Sequence, residues 1–289
     1  MRSNLKEKAK KIKINYSDEM QRIETLFAEN EPIQFYAQND YMRLYPKYTS
    51  LEVLFNSVLF LKYPFADNFV SVSDARNELG ISKDDIKGNN LETMLDYFEF
   101  IFNITQFFIL QYNNRQLNVS LIDTNFINKI NNNIQSTLEK LNYKLEKSEG
   151  YYYIVEKDAA ATAVSEIYND ISDEVIEYRR YNLKGNIKRK CEILNTLANK
   201  FEAIRPDLKA NNFSEIEDKT GSLLNNLDIR HNNITGKHEK DIVKNMSDEE
   251  LEMWYDRAYD LLLMCFMFHH YLDFREEVKD LNKNLKNKV

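Results

Sequence analysis

Six glycines and four prolines in 289 residues leave this chain few ways to turn a sheet. Average usage is about 7% Gly and 5% Pro, and most β-turn types rely on Gly, Pro or Asn. A mainly α fold is therefore expected. The same scarcity removes enzyme classes. Gly80, Gly88, Gly150, Gly185, Gly221 and Gly236 lie too far apart for a dinucleotide fingerprint or a phosphate-cradling P-loop. No Gly-x-Ser-x-Gly elbow is present.

With 46 acidic and 39 basic residues the formal charge is −7. That argues against a surface coated for nucleic acid, while leaving room for a local basic patch. Cys191 and Cys265 form no pair at metal-binding spacing. Both fall in apolar helical patterns, where a free Cys acts as a small buried hydrophobe. No metal or cofactor is expected. A reducing cytoplasm fits, and the basic stretch from Met1 to Ile14 lacks the apolar core of a secretory signal. The longest apolar stretch, Phe98 to Leu110, is interrupted by Glu99, Asn103 and Gln106. It is shorter than the ~20 residues of a membrane span, so a buried helix is expected there and no membrane association.

Three regions follow from the change of period along the chain. Residues 1–125 read as an N-terminal helical domain. Helices are expected from Ser17 to about Glu29, from Thr49 or Ser50 through Leu61, and from about Asn90 to Tyr112. Ala75 to Ser82 has the outline of a helix-turn-helix turn. Its next segment, Lys83-Asp84-Asp85-Ile86, carries carboxylates that repel phosphate where a DNA reader needs donors. A capped structural turn is expected instead.

Residues 126–158 read as a connector: a helix over Phe126–Leu141, then two alternating runs about Ser148-Glu149-Gly150. That is one small β-hairpin, which needs a helix to lean on. Residues 159–289 read as a four-helix bundle. Helix one carries Ala160 to Tyr178, and helix two Ile187 to Phe201 with Pro206 just beyond. Helix three carries Ile216 to Leu227. Helix four opens on the capping box Ser247-x-x-Glu250 and runs to about Arg275. Helix four is apolar on more than one face from Leu261 to Phe268, as a partner surface would be. His269-His270 is not a metal pair, because adjacent helical residues point ~100° apart. Trp254 and Tyr255 are expected in the core or in a dimer seam.

The stretch with chemistry is Leu227 to His238. It holds two of the four histidines, an Arg, an Asn pair and a Gly. Leu223, Leu227 and Arg230 step by four and three, so Arg230 extends the apolar stripe of helix three, with His231 beside it. A guanidinium turned toward a bundle interior needs a carboxylate, with Glu250 and Asp256 as candidates, or a polar cleft that receives an anion. Arg grips phosphate bidentately, and His exchanges a proton near neutrality. Together they suffice to cleave RNA without metal. The imidazole takes the proton of a ribose 2′-hydroxyl, which attacks the adjacent phosphorus and leaves a 2′,3′-cyclic phosphate. A polar helix cap with Arg230 in a structural ion pair is the alternative.

A helical bundle with an Arg–polar…His element between its last two helices resembles the HEPN superfamily. It is most similar to the prokaryotic members of abortive-infection and toxin–antitoxin systems, over about Ala159 to Phe274. The resemblance implies an endoribonuclease acting in phage defence or as a toxin. It implies a homodimer whose two motifs face each other, with Arg230 stabilising the transition state and His238 carrying the proton. It also implies RNA as partner, and an antitoxin or phage-encoded trigger. Seven residues separate Arg230 from His238, more than the family usually places there, so His231 is the alternative proton carrier. Asn232, Asn233 and Lys237 are candidate RNA-binding residues in the motif. Arg179, Arg180, Lys188 and Arg189 are candidates in a basic run before helix two. A non-catalytic module for dimerisation, partner or nucleotide binding is the alternative function.

Overall fold

The computed structural model describes residues 14–29, 33–38, 44–56, 69, 71–114, 124–229, 243 and 245–286. The chain divides into two compact units, Met1–Ile154 and Val155–Val289. The fold is mainly α, as the shortage of turn residues predicts.

In the first unit, α1 (Tyr16–Glu24) leads into a π-helical turn over Thr25–Glu29, followed by β1 (Ile33–Gln38), β2 (Leu44–Thr49) and α2 (Leu51–Leu54). Next come α3 (Val72–Glu78), α4 (Leu91–Asn113), α5 (Thr124–Lys140), β3 (Tyr143–Ser148) and β4 (Tyr151–Glu156). Polar caps start α1 to α4 in place of glycine or proline. Asn15 accepts from the Ser17 N–H, Ser50 from Val53, Ser71 from Asp74, and Asn90 from Glu92. The 23-residue α4 is the centre of the unit. Its Met94, Leu95, Phe98, Ile101, Phe102, Ile104 and Phe108 are all buried.

The polar residues that interrupt α4 have a defined task. Asn103 donates to the Tyr152 carbonyl at 2.8 Å and accepts from the Tyr152 N–H at 2.8 Å. Glu99 accepts from the Ile154 N–H at 2.7 Å. They satisfy the backbone of β4 and supply the support that a two-stranded hairpin lacks by itself. Glu149 and Gly150 both have positive φ, 51° and 86°, as a two-residue turn of type I′ requires. A second antiparallel pair joins β1 to β2, with Tyr36 opposite Pro46.

The expected connector over 126–158 is divided between the units, because α5 and β3 belong with α4 while Val155 begins the second unit. At the helix-turn-helix look-alike, Gly80 has φ +66° and only a short 3₁₀ turn follows, Asp85–Lys87. Ser82 and Asp85 cap each other there.

The second unit holds α6 (Ala159–Ile167), α7 (Ser172–Tyr178), α8 (Ile187–Ala210), α9 (Ser214–Asn226) and α10 (Asp248–Lys286). Together α6 and α7 stand where one continuous helix was expected, the break falling at Tyr168–Ile171. Pro206 does not end α8, which runs on to Ala210. The direction of each helix follows from its side-chain pairs. Lys190 meets Asp256 and Asp207 meets His269, so α8 and α10 run the same way. Arg205 meets Glu217 and Asn195 meets Ile229, so α9 runs opposite. Arg189 meets Glu177 and Lys200 meets Asp170, so α7 also runs opposite to α8, while Asp158 meets Arg179, so α6 folds back antiparallel to α7. The result is an up-down-up-down arrangement of α7, α8, α9 and α10, with α6 packed antiparallel to α7. Its core is built on Ile193, Leu194, Leu197, Phe201, Leu224, Tyr259, Leu262 and Phe266.

Candidate functional site

The C-terminus of α7, the N-terminus of α8, the C-terminus of α9 and the N-terminus of α10 meet at one end of the bundle. The candidate residues Arg230, His231, Asn232, Asn233, Lys237 and His238 lie outside the described residues. The points where their segment leaves and rejoins the bundle are both described.

The departure point is tightly built. Asp228 takes φ +56°, its N–H bonds the Asn225 carbonyl at 3.3 Å, and the Ile229 N–H bonds the Leu224 carbonyl at 3.0 Å. This is a Schellman cap with Asp where Gly is usual. Ile229 is fully buried, and its carbonyl accepts from the Asn195 side-chain amide at 2.6 Å. The cap corrects one expectation. The helical step from Leu223 through Leu227 to Arg230 stops, because α9 ends at Asn226 and Asp228 turns the backbone left-handed. The segment rejoins at the predicted capping box. The Ser247 hydroxyl accepts from the Glu250 N–H at 3.2 Å, and Glu250 returns the bond to the Ser247 N–H at 3.5 Å.

Between these two points lies a charged cluster. Lys190, buried on α8, places Nζ 2.7 Å from Asp256 and 2.8 Å from Glu252. Its ammonium also lies 5.1 Å from the Tyr178 ring centroid. The Tyr178 hydroxyl donates to Asp256 at 2.9 Å, and its ring stacks on Tyr259 at 4.1 Å. Burial pushes the Tyr178 phenol well above its ordinary range, and the Asp256 charge adds to that. Burial works against the Glu252 charge, yet Lys190 and the Gly185 N–H hold its carboxyl below the usual value. Both carboxylates proposed as partners for Arg230 are thus already engaged, Asp256 by Lys190 and Tyr178, Glu250 by the cap.

The basic run does not form one open face. Arg179 sits between Asp158 at 2.5 Å and Asp260 at 3.0 Å, with its guanidinium over the Tyr259 ring. Arg189 grips Glu177 through two bonds of 2.7 Å and reaches Glu192 at 3.1 Å. The Arg180 backbone pairs with Val155, and Lys188 is exposed. Carboxylates thus neutralise the guanidiniums of both candidate RNA contacts, Arg179 and Arg189, in this structure. The sequence spacing shows the basic residues but not Glu177, Asp158 and Asp260, which reach them from other turns and other helices.

Sequence reasoning also missed a polar chain at the opposite end of the bundle. The Tyr168 hydroxyl lies 2.8 Å from His269 Nδ1, and His269 Nε2 lies 3.4 Å from Asp207. Burial pushes the Tyr168 phenol up to about 12. Cys265 is buried against Thr220 and Cys191 is half-buried. Among the described residues, no group of three or more His, Cys, Asp or Glu is placed to hold a metal ion, and no helix is long and apolar enough to cross a membrane. Comparison with family models, with curated proteins and with solved structures finds no match to this chain.

Proposed function

We propose that the protein is a metal-independent endoribonuclease of HEPN type, with Arg230 and His238 as its reactive pair and His231 as the alternative proton carrier. The observation that carries this proposal is the position of the motif in the topology. It joins α9 to α10, the last two helices of a bundle in which α7 to α10 alternate in direction, and it starts one residue after the anchored Ile229. Arg230 stabilises charge on the attacked phosphate and the imidazole takes the proton of the ribose 2′-hydroxyl. Two copies face each other across this end, in keeping with the resemblance.

The test is RNA cleavage by the purified full chain in EDTA. Products ending in a 2′,3′-cyclic phosphate are expected, with no cleavage of DNA. Arg230→Ala and His238→Ala are expected to abolish cutting. Undiminished cutting by both variants rejects the assignment.

One observation favours the alternative, a non-catalytic module that binds a partner or a nucleotide. The described rim beside the motif carries four carboxylates, Asp228, Glu250, Glu252 and Asp256, of which the buried ammonium of Lys190 offsets part of the charge on the last two. The rim repels a polyanion unless the motif supplies the positive charge itself. Nucleotide binding without RNA turnover in the same assay decides for that module.

A further inference from the structure

The bundle's last helix is much longer than its neighbours. At 39 residues, α10 spans about 58 Å. Asp207, near the end of α8, lies beside His269, and α8 stops at Ala210. Roughly the last fourteen residues of α10, about 21 Å, therefore extend past the bundle.

An apolar stripe runs from the bundle onto this overhang: Met264, Met267, Tyr271, Phe274, Val278 and Leu281. The steps are three, four, three, four and three, the alternation of a coiled-coil seam. Met264 is 45% exposed, Met267 44%, Phe274 38%, Val278 42% and Leu281 60%. Stripes of this kind are uncovered in water only at a cost. Beside its bundle half lies an apolar groove whose walls include Ile167 of α6 and Phe213 at the start of α9.

We propose that a second copy of this chain covers the stripe, with the two α10 helices packed antiparallel. Register and charge select this occupant. With the two-fold axis between Tyr271 and Phe274, Met264 faces Leu281 of the other copy, Met267 faces Val278, and Tyr271 faces Phe274. Every stripe residue then has an apolar partner. The same register sets His270 opposite Glu277 and Arg275 opposite the Phe268 ring, both favourable. A parallel pairing sets His270 against Arg275 and leaves Glu277 facing Asn282. Each overhang then lies along the groove of the other copy. The contact is isologous, as a two-fold dimer requires. It leaves the Ser247 end of each bundle outside, so it is separate from the contact that the nuclease proposal calls for.

Light scattering on the full chain tests this. The wild type is expected at twice 34.4 kDa or a higher even multiple. Val278→Glu with Leu281→Glu is expected to halve that mass with helical circular dichroism unchanged, because both side chains are exposed within one copy. A wild-type mass of 34.4 kDa, or an unchanged mass in the double variant, overturns the proposal. Orientation is read by crosslinking. Met267→Cys and Val278→Cys are expected to form a disulfide only when the two variants are mixed. A disulfide between two copies of Val278→Cys overturns the antiparallel arrangement. Neither readout depends on RNA cleavage.

Discussion

Lys190 Nζ lies 2.7 Å from Asp256 Oδ1, which ties α8 to α10 where the candidate motif enters. A buried ammonium is stable only while paired, and here Glu252 adds a second carboxylate at 2.8 Å. Lys190→Met is expected to destabilise the second unit by about 2 kcal/mol. That is below the ~3–5 kcal/mol typical of a broken buried pair, because Asp256 is partly exposed and regains water. Urea unfolding measures it, and an unchanged midpoint shows the pair to be thermodynamically idle.

The stacked phenols beside that pair set a limit at high pH. Burial raises the pKa of Tyr178 and of Tyr259 above the ordinary tyrosine value. In the unfolded chain both ionise near pH 10, while the folded chain holds their protons. Above that pH the unfolded state binds fewer protons, so stability falls as pH rises. The stabilisation is fully present below about pH 10 and is lost on going above it. Tyr178→Phe is expected to flatten this fall while losing the bond to Asp256. Urea midpoints between about pH 8 and pH 11 read the slope, and identical slopes in variant and wild type contradict it.

In the first unit, Arg76 and Glu24 form a buried pair at 3.0 Å. The Tyr97 hydroxyl donates to the same carboxylate at 2.7 Å, and Arg76 Nε donates to the Ile81 carbonyl at 3.1 Å. Arg76→Met leaves the Glu24 carboxylate buried with Tyr97 as its remaining close donor, at an expected cost of about 3 kcal/mol. The double variant Arg76→Met with Glu24→Gln is expected to recover part of that. Equal losses in both place the cost in packing around the aliphatic stem of Arg76 rather than in charge.

These sites show what the sequence makes legible and what it hides. Helix starts are readable where a cap is local: Asn90, Ser50 and Ser247 each lie within three residues of the N–H they accept. The β3–β4 hairpin is readable because Glu149-Gly150 is a turn signal. Pro206 misleads, since tertiary packing carries α8 past it. Arg230 misleads for a different reason: the helical step assumes that α9 continues, while the left-handed Asp228 ends it. Long-range partners leave no local signal. Nothing near Arg179 announces Asp260, eighty-one positions away, nor does Arg76 announce Glu24. The coiled-coil spacing on α10 is visible in the sequence, but its exposure is not.

The last prediction concerns that left-handed residue. A non-glycine residue at positive φ costs about 1 kcal/mol, and Asp is among the side chains that tolerate it best. Asp228→Gly is expected to raise stability by about 0.5 kcal/mol, the relief at φ +56° being partly offset by the greater entropy of glycine in the unfolded chain. Asp228→Val, branched at Cβ, is expected to lower it by more than 1 kcal/mol, or roughly the cost of one forced left-handed residue. Thermal melts rank the three proteins. If Asp228 serves only as the cap, Asp228→Gly keeps whatever activity the wild type has on RNA. Its loss in a variant that melts higher assigns the carboxylate a part in the chemistry two residues before Arg230.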